Sequence, residues 1–130
     1  NANAYYVLAI RTQMTSQDTA EFTQFADRAV SLNPNDAFVL ADLGTWMGYS
    51  GLWERGKEWV ARAMQLNPRH QSWLYQIWHL DYYRQQQYQE SRDAALDIQP
   101  CCGDFHSITN IIFVFNYNNT KSFTNCAIRC

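Results

Sequence analysis

NDAFVLADLGTWMGYSGLWERGKEWVARAMQLNP, residues 35–68, is the stretch whose reading decides the fold. Asn35 and Asp36 carry short oxygen-bearing side chains suited to capping a helix. Val39, Leu40, Leu43, Trp46 and Met47 then recur at steps of three and four residues, which places them on one stripe of that helix. Gly48, Ser50 and Gly51 are expected to break it. A second helix is expected from about Trp53, with Trp59, Val60, Ala63, Met64 and Leu66 as its apolar positions. Asn67-Pro68 ends it, because the residue before a proline disfavours helical geometry.

The end of this stretch has a counterpart upstream. Leu32-Asn33-Pro34 returns as Leu66-Asn67-Pro68, and Arg28-Ala29 as Arg62-Ala63, all at an interval of 34 residues. A period of that length holds two helices and their turns, a unit that buries its apolar face only against a neighbour. The preceding unit runs from about Asn3 to Met14, turns at Thr15-Ser16 and continues through Phe22, Phe25, Ala26, Ala29, Val30 and Leu32. Thr15 and Asp18 have capping-box spacing, with Asp in place of the usual Glu. The following unit begins near His70 with Trp73, Leu74, Ile77, Trp78 and Leu80, and its second helix carries Tyr88, Ala94, Ala95, Leu96 and Ile98. Trp53-Glu54 corresponds to Tyr88-Gln89 at 35 residues instead of 34, so a lengthened turn or a local irregularity is expected around Gln85-Gln86-Gln87. The units are thus about 3–34, 35–68 and 69–100.

Leu43-Gly44, Gly51 at the turn, Trp53-Glu54, Ala63, Leu66 and Pro68 together resemble the tetratricopeptide repeat (TPR) family, over roughly residues 3–100. The resemblance implies an all-α fold: an α-α superhelix, or TPR-like solenoid, of about three helix-turn-helix repeats with an atypical C-terminal segment. The first helix of each unit would line a concave groove and the second would form the convex back. Asn67 to His70, Trp73 and Tyr82-Tyr83 look like repeats in the regulatory arms of bacterial signalling proteins. By resemblance the chain is a non-catalytic module that binds a peptide or protein in the groove. The groove would present Val7 and Arg11 from the first unit, Ala41, Asp42, Thr45 and Tyr49 from the second, and Tyr75, His79, Tyr82 and Tyr83 from the third. The alternative is a structural or oligomerising segment of a larger bacterial signalling or regulatory protein, self-associating through its open end.

Helical spacing alone places His79 one turn from Tyr75 and from Tyr82 and Tyr83. Such a face serves either as a polar and aromatic grip on a partner or as packing against an adjacent helix. The groove positions lack the Lys and Asn set by which some family members hold a terminal carboxylate, so chaperone tails are not the expected ligand. Arg28 and Arg62 stand beside Ala29 and Ala63 and are read as a solvated convex surface. Gly44 and Gly48 are read as turn and packing residues, and Asp81 with Arg84 as an ordinary helix pair.

The composition narrows the alternatives. A formal charge of −2 leaves no basic footprint for nucleic acid or anionic lipid. Apolar runs such as Ile111 to Phe115 are far short of the roughly 18 residues of a membrane span. No phosphate-binding loop, nucleophile elbow or paired-histidine metal helix is present, so neither an enzyme nor a cofactor is expected. Asn1-Ala-Asn-Ala-Tyr-Tyr does not read as a signal peptide, and the expectation is a cytoplasmic piece of a longer protein.

The chain changes character near Pro100. Residues 101–130 hold all four cysteines, Cys101, Cys102, Cys126 and Cys130, and only three charged side chains, Asp104, Lys121 and Arg129. Four thiolates can enclose zinc, but adjacent cysteines chelate poorly and the gap to Cys126 is unpatterned, so unpaired thiols are the favoured reading and no metal is expected. The segment is read as a degenerate fourth helical pair, about 105–117 and 121–130. Its Ile, Phe, Thr and Val content leaves a strand-forming, disordered or out-of-frame tail open as well. An exposed apolar end there would favour pairing with another copy.

Overall fold

The structure, a computed structural model, describes residues 1–98. The expected fourth helical pair and the four cysteines lie outside the described residues. Six α-helices account for most of what is described, with no strand among the described residues. They are α1 (Ala2–Thr15), α2 (Thr19–Leu32), α3 (Ala37–Tyr49), α4 (Trp53–Leu66), α5 (Gln76–Arg84) and α6 (Tyr88–Asp97). A single 3-10 turn, Ser72–Tyr75, leads into α5.

Local chemistry explains most of the boundaries. Asp36 caps α3, its Oδ1 accepting the amide N–H groups of Phe38 and Val39 at 3.1 Å each. Asp18 does the same for α2 with Ala20 and Glu21. The cap is therefore Asp18 and not Thr15, which closes α1 with its hydroxyl bonded to the Arg11 carbonyl. Gly48 does not break α3. The helix continues to Tyr49, and Gly48 is buried within it. α2 and α4 end at equivalent residues, where Asn33 and Asn67 leave helical geometry and bond back to the carbonyls of Ala29 and Ala63.

Each odd-numbered helix joins its successor through a three-residue turn whose middle residue is left-handed: Gln17 (φ 54°), Gly51 (φ 91°) and Gln86 (φ 60°). The third turn is no longer than the others. Buried Leu40, Leu43 and Met47 recur at the strict 34-residue interval as buried Leu74, Ile77 and Asp81. The additional residue therefore falls in the last turn of α5, between Asp81 and the Gln86 turn.

The dominant packing is within the pairs α1/α2, α3/α4 and α5/α6, and each pair is a helical hairpin. α3 also touches both α1 and α2, while α5 touches both α3 and α4. One apolar cluster joins Ala9, Phe22, Ala26 and Ala29 of the first hairpin to Val39, Leu43 and Met47. A second joins Leu40, Val60 and Ala63 to Leu74 and Ile77 of the third hairpin. Within the second hairpin the helices cross almost backbone to backbone. A Cβ on Gly44 would lie 2.8 Å from the Gly56 carbonyl oxygen, and a Cβ on Gly56 would meet the Gly44 carbonyl and the Gly48 nitrogen.

The joint between the second and third hairpins is ionic as well as apolar. Asp81, 1% exposed, occupies the place that Met47 holds one period earlier. Lys57 of α4 reaches its Oδ2 at 2.6 Å and also bonds Glu54 at 2.8 Å. Arg84 stands 2.6 Å from Oδ1, which has no aligned hydrogen bond, and its guanidinium lies over the Trp53 ring at 5.0 Å. The Asp81–Arg84 pair is thus not the ordinary surface pair that its spacing predicts. Burial pushes the Asp81 carboxyl up, but hydrogen bonding to Lys57 and Gln85, the charge of Lys57 and the polar contact of the Arg84 guanidinium outweigh it and hold the group below the usual carboxylate range.

Candidate partner-binding face

The odd-numbered helices are linked to one another by side-chain hydrogen bonds across the hairpin boundaries. Tyr6 of α1 donates to Asp42 Oδ2 of α3 at 2.9 Å, and Ser50 after α3 donates to Gln13 Oε1 of α1 at 3.1 Å. Gln76 of α5, itself buried, donates to the Tyr49 hydroxyl of α3 at 2.7 Å. These bonds fix the azimuth of each first helix relative to the next. Sequence periodicity cannot supply that information, because it reports only which residues share a helix face.

Burial raises the Tyr6 hydroxyl well above its ordinary value, and donation to Asp42 and the charges of Asp42 and Asp36 raise it further. Tyr49 is pushed up to about 12 by burial and by the charge of Asp42. Asp42 is itself raised by burial, while hydrogen bonding to Tyr6 and Trp46 pulls it back. Both phenols are therefore protonated near neutral pH and act as neutral hydrogen-bonding groups. Among the described residues, no group of three or more His, Cys, Asp or Glu is placed to hold a metal ion.

The residues expected to line a groove divide into three sets. Val7, Arg11 and Tyr83 are exposed. Val7 and Arg11 lie with Tyr6, Ile10, Met14 and Thr15 around a shallow depression of about 360 Å³ along α1. Asp42, Tyr49, Tyr75 and Tyr82 are half-buried. Asp42 and Tyr49 are held as described, and Tyr75 packs between the His70 ring at 5.6 Å and the Trp78 ring at 6.4 Å. Ala41, Thr45 and His79 are buried. Thr45 donates to the Ala41 carbonyl at 2.8 Å, within its own helix.

His79 is turned towards α6 and is 5% exposed, which matches the packing alternative for this residue. Its Nδ1 sits 2.9 Å from the Ser91 carbonyl and 2.9 Å from Ser91 Oγ, and Ser91 Oγ donates to the His79 carbonyl at 3.0 Å. A carbonyl only accepts, so Nδ1 carries the proton in this arrangement and the pair pins α5 to α6. Tyr83 leans the same way, edge-on to Tyr88 at 5.8 Å. Tyr75, which ends the 3-10 turn, and His79, Tyr82 and Tyr83 of α5, grouped together by helical spacing, are thus divided between a buried seam and an outer surface.

Sequence reading missed Tyr6, Met14 and Phe38. Met14 is 67% exposed and Phe38 63% exposed, and Phe38 meets Tyr6 edge-on at 6.1 Å. Val7, 59% exposed, and Met14 border the depression beside Arg11, and Phe38 adjoins it through Tyr6. A signal was present, since Phe38 lies one helical turn before Ala41 and Met14 one turn after Arg11. No helix among the described residues is long and apolar enough to cross a membrane. The chain matches no protein-family model and no curated protein.

Proposed function

We propose that this chain is a non-catalytic interaction module whose hairpins stack as a TPR-like solenoid, and that α1, α3 and α5 form a face that takes a peptide or protein segment. The observation that carries this reading is the exposure of Val7 and Met14 beside Arg11 on α1, with Phe38 of α3 adjoining them through the Tyr6 ring, on helices whose mutual orientation is fixed by Tyr6–Asp42 and Gln76–Tyr49. Bulky apolar side chains left together in water mark a surface with a partner, and a cation among them selects for an acidic group. The 34-residue interval and the contacts of α3 and α5 with the hairpin before each also support the stacked arrangement.

Panning a random peptide library on the chain tests the reading. Selected peptides are expected to carry apolar residues with an acidic one, and to lose at least tenfold in affinity on Val7→Asp, Phe38→Asp or Arg11→Glu while the urea midpoint stays put. Selected peptides that bind all three variants as they bind the parent would overturn it.

A further inference from the structure

The chain's own hairpin joints serve as a template for a surface that the peptide-binding reading does not use. The second hairpin rests on the first through Val39 and Trp59, which pack into the cluster of Ala9, Ala26 and Ala29. One period later, Trp73 packs in the same manner on the cluster of the second hairpin. Two polar contacts accompany the first joint: Arg55 pairs with Asp27, and Ser50 bonds Gln13. The second hairpin thus has a leading face covered by the first, and the Val39 equivalent on the third is covered likewise, while the Trp59 equivalent there, Asp93, is exposed.

On the first hairpin the equivalent positions, 34 residues earlier, are Tyr5 for Val39, Phe25 for Trp59, Glu21 for Arg55 and Ser16 for Ser50. Tyr5 and Phe25 are packed ring to ring at 6.4 Å beside a cleft of about 440 Å³ that Gln24, Arg28 and Ser31 also border. Glu21 and Ser16 are exposed, and Glu21 has no ion pair among the described residues. The aromatic pair at the docking position is thus retained, half-buried with the Arg28 guanidinium 5.9 Å from the Tyr5 ring, and the charge at the Arg55 position is inverted.

We propose that the Tyr5–Phe25 face docks a further antiparallel helical hairpin, in the register in which the second hairpin sits on the first, and that this partner presents small residues to the two rings and a basic side chain to Glu21. The small residues follow from what Val39 and Trp59 meet, Ala26 and Ala29. The basic residue follows from exchanging the two charges of the Asp27–Arg55 pair. This docking rests on the stacked arrangement of that reading but not on peptide capture at Val7 and Phe38, so it stands if the peptide-binding test fails.

The test joins a second copy of residues 1–34 directly ahead of Asn1 of the full chain, which places the copy one period upstream. In that position Asp27 of the copy faces Glu21 of the original chain. The extended protein is expected to unfold in one cooperative urea transition, because stacked hairpins gain stability from each neighbour. Amide exchange in α1 and α2 of the original chain should slow. Asp27→Lys in the copy should raise the midpoint, and Glu21→Arg in the original chain should reverse that preference while leaving the midpoint of the unextended chain unchanged. A separate, earlier transition for the added hairpin with unchanged exchange in α1 and α2 would overturn the proposal. So would a midpoint indifferent to both charge exchanges.

Discussion

At Gly56 the backbone of α3 fills the space that a side chain would need. A Cβ there would also come within 2.9 Å of Ile77 Cδ1, so the substitution forces two helices and a neighbouring hairpin apart. Gly56→Ala is expected to cost about 1–3 kcal/mol by overpacking, read as a fall in urea midpoint with unchanged slope. Gly51 is a different case, with open space around its Cβ position but a φ of 91°. Gly51→Ala should cost about 1 kcal/mol through backbone strain alone. Conversely, Gln86 holds the same turn position at φ 60°, and Gln86→Gly should gain up to about 1 kcal/mol in the same assay. Three turns of one shape, two of them built without glycine, make the sign of each change a direct reading of the left-handed position.

At the scale of elements, the joints between hairpins carry opposite charge chemistry. Asp81 is held below the usual carboxylate range, so its contribution to stability is complete above about pH 4, the unfolded value, and is lost as pH falls through the lower folded value. Asp42 is raised, so its ionisation opposes folding, and acidification through its folded value relieves that opposition. Asp81→Asn should therefore flatten the acid limb of the stability curve below about pH 4. Lys57→Met, which keeps bulk but leaves the buried carboxylate to Arg84, should cost about 3 kcal/mol at neutral pH. At the first joint, Tyr6→Phe should cost about 1 kcal/mol and raise the Asp42 carboxyl further, since the lost hydrogen bond was lowering it. Carbon-detected NMR titration of Asp42 checks the direction. Ala63→Leu places a large side chain in the seam of α4 and should cost about 1–3 kcal/mol, measured by thermal melting.

For the whole molecule, much of the architecture was already present in a single chain of residues. The interval between Leu32-Asn33-Pro34 and Leu66-Asn67-Pro68 located the ends of α2 and α4 to the residue, because helix termination is a local event set by the residue before proline. The stripes of α3 and α4 likewise named Val39, Leu40, Leu43, Met47, Val60 and Ala63, all buried, whereas Leu66 is exposed and buried Gly56 was not named. What stayed hidden lies at crossings between hairpins. Asp81 looked like half of a surface pair because its second partner, Lys57, lies 24 residues away. His79 looked available because Ser91, which encloses it, belongs to the next helix. Phe38 and Met14 were given no role at the surface, yet α1 and α3 leave them in water.

By itself the sequence determined the two-helix unit, its interval and the ends of α2 and α4, since each depends on backbone preferences and side chains within a few residues of one another. Only the tertiary structure decided how far each helix is rotated against the next. That rotation depends on close approaches such as Gly44 to Gly56 and on bonds such as Tyr6 to Asp42, which join residues distant in the chain and leave no periodic trace.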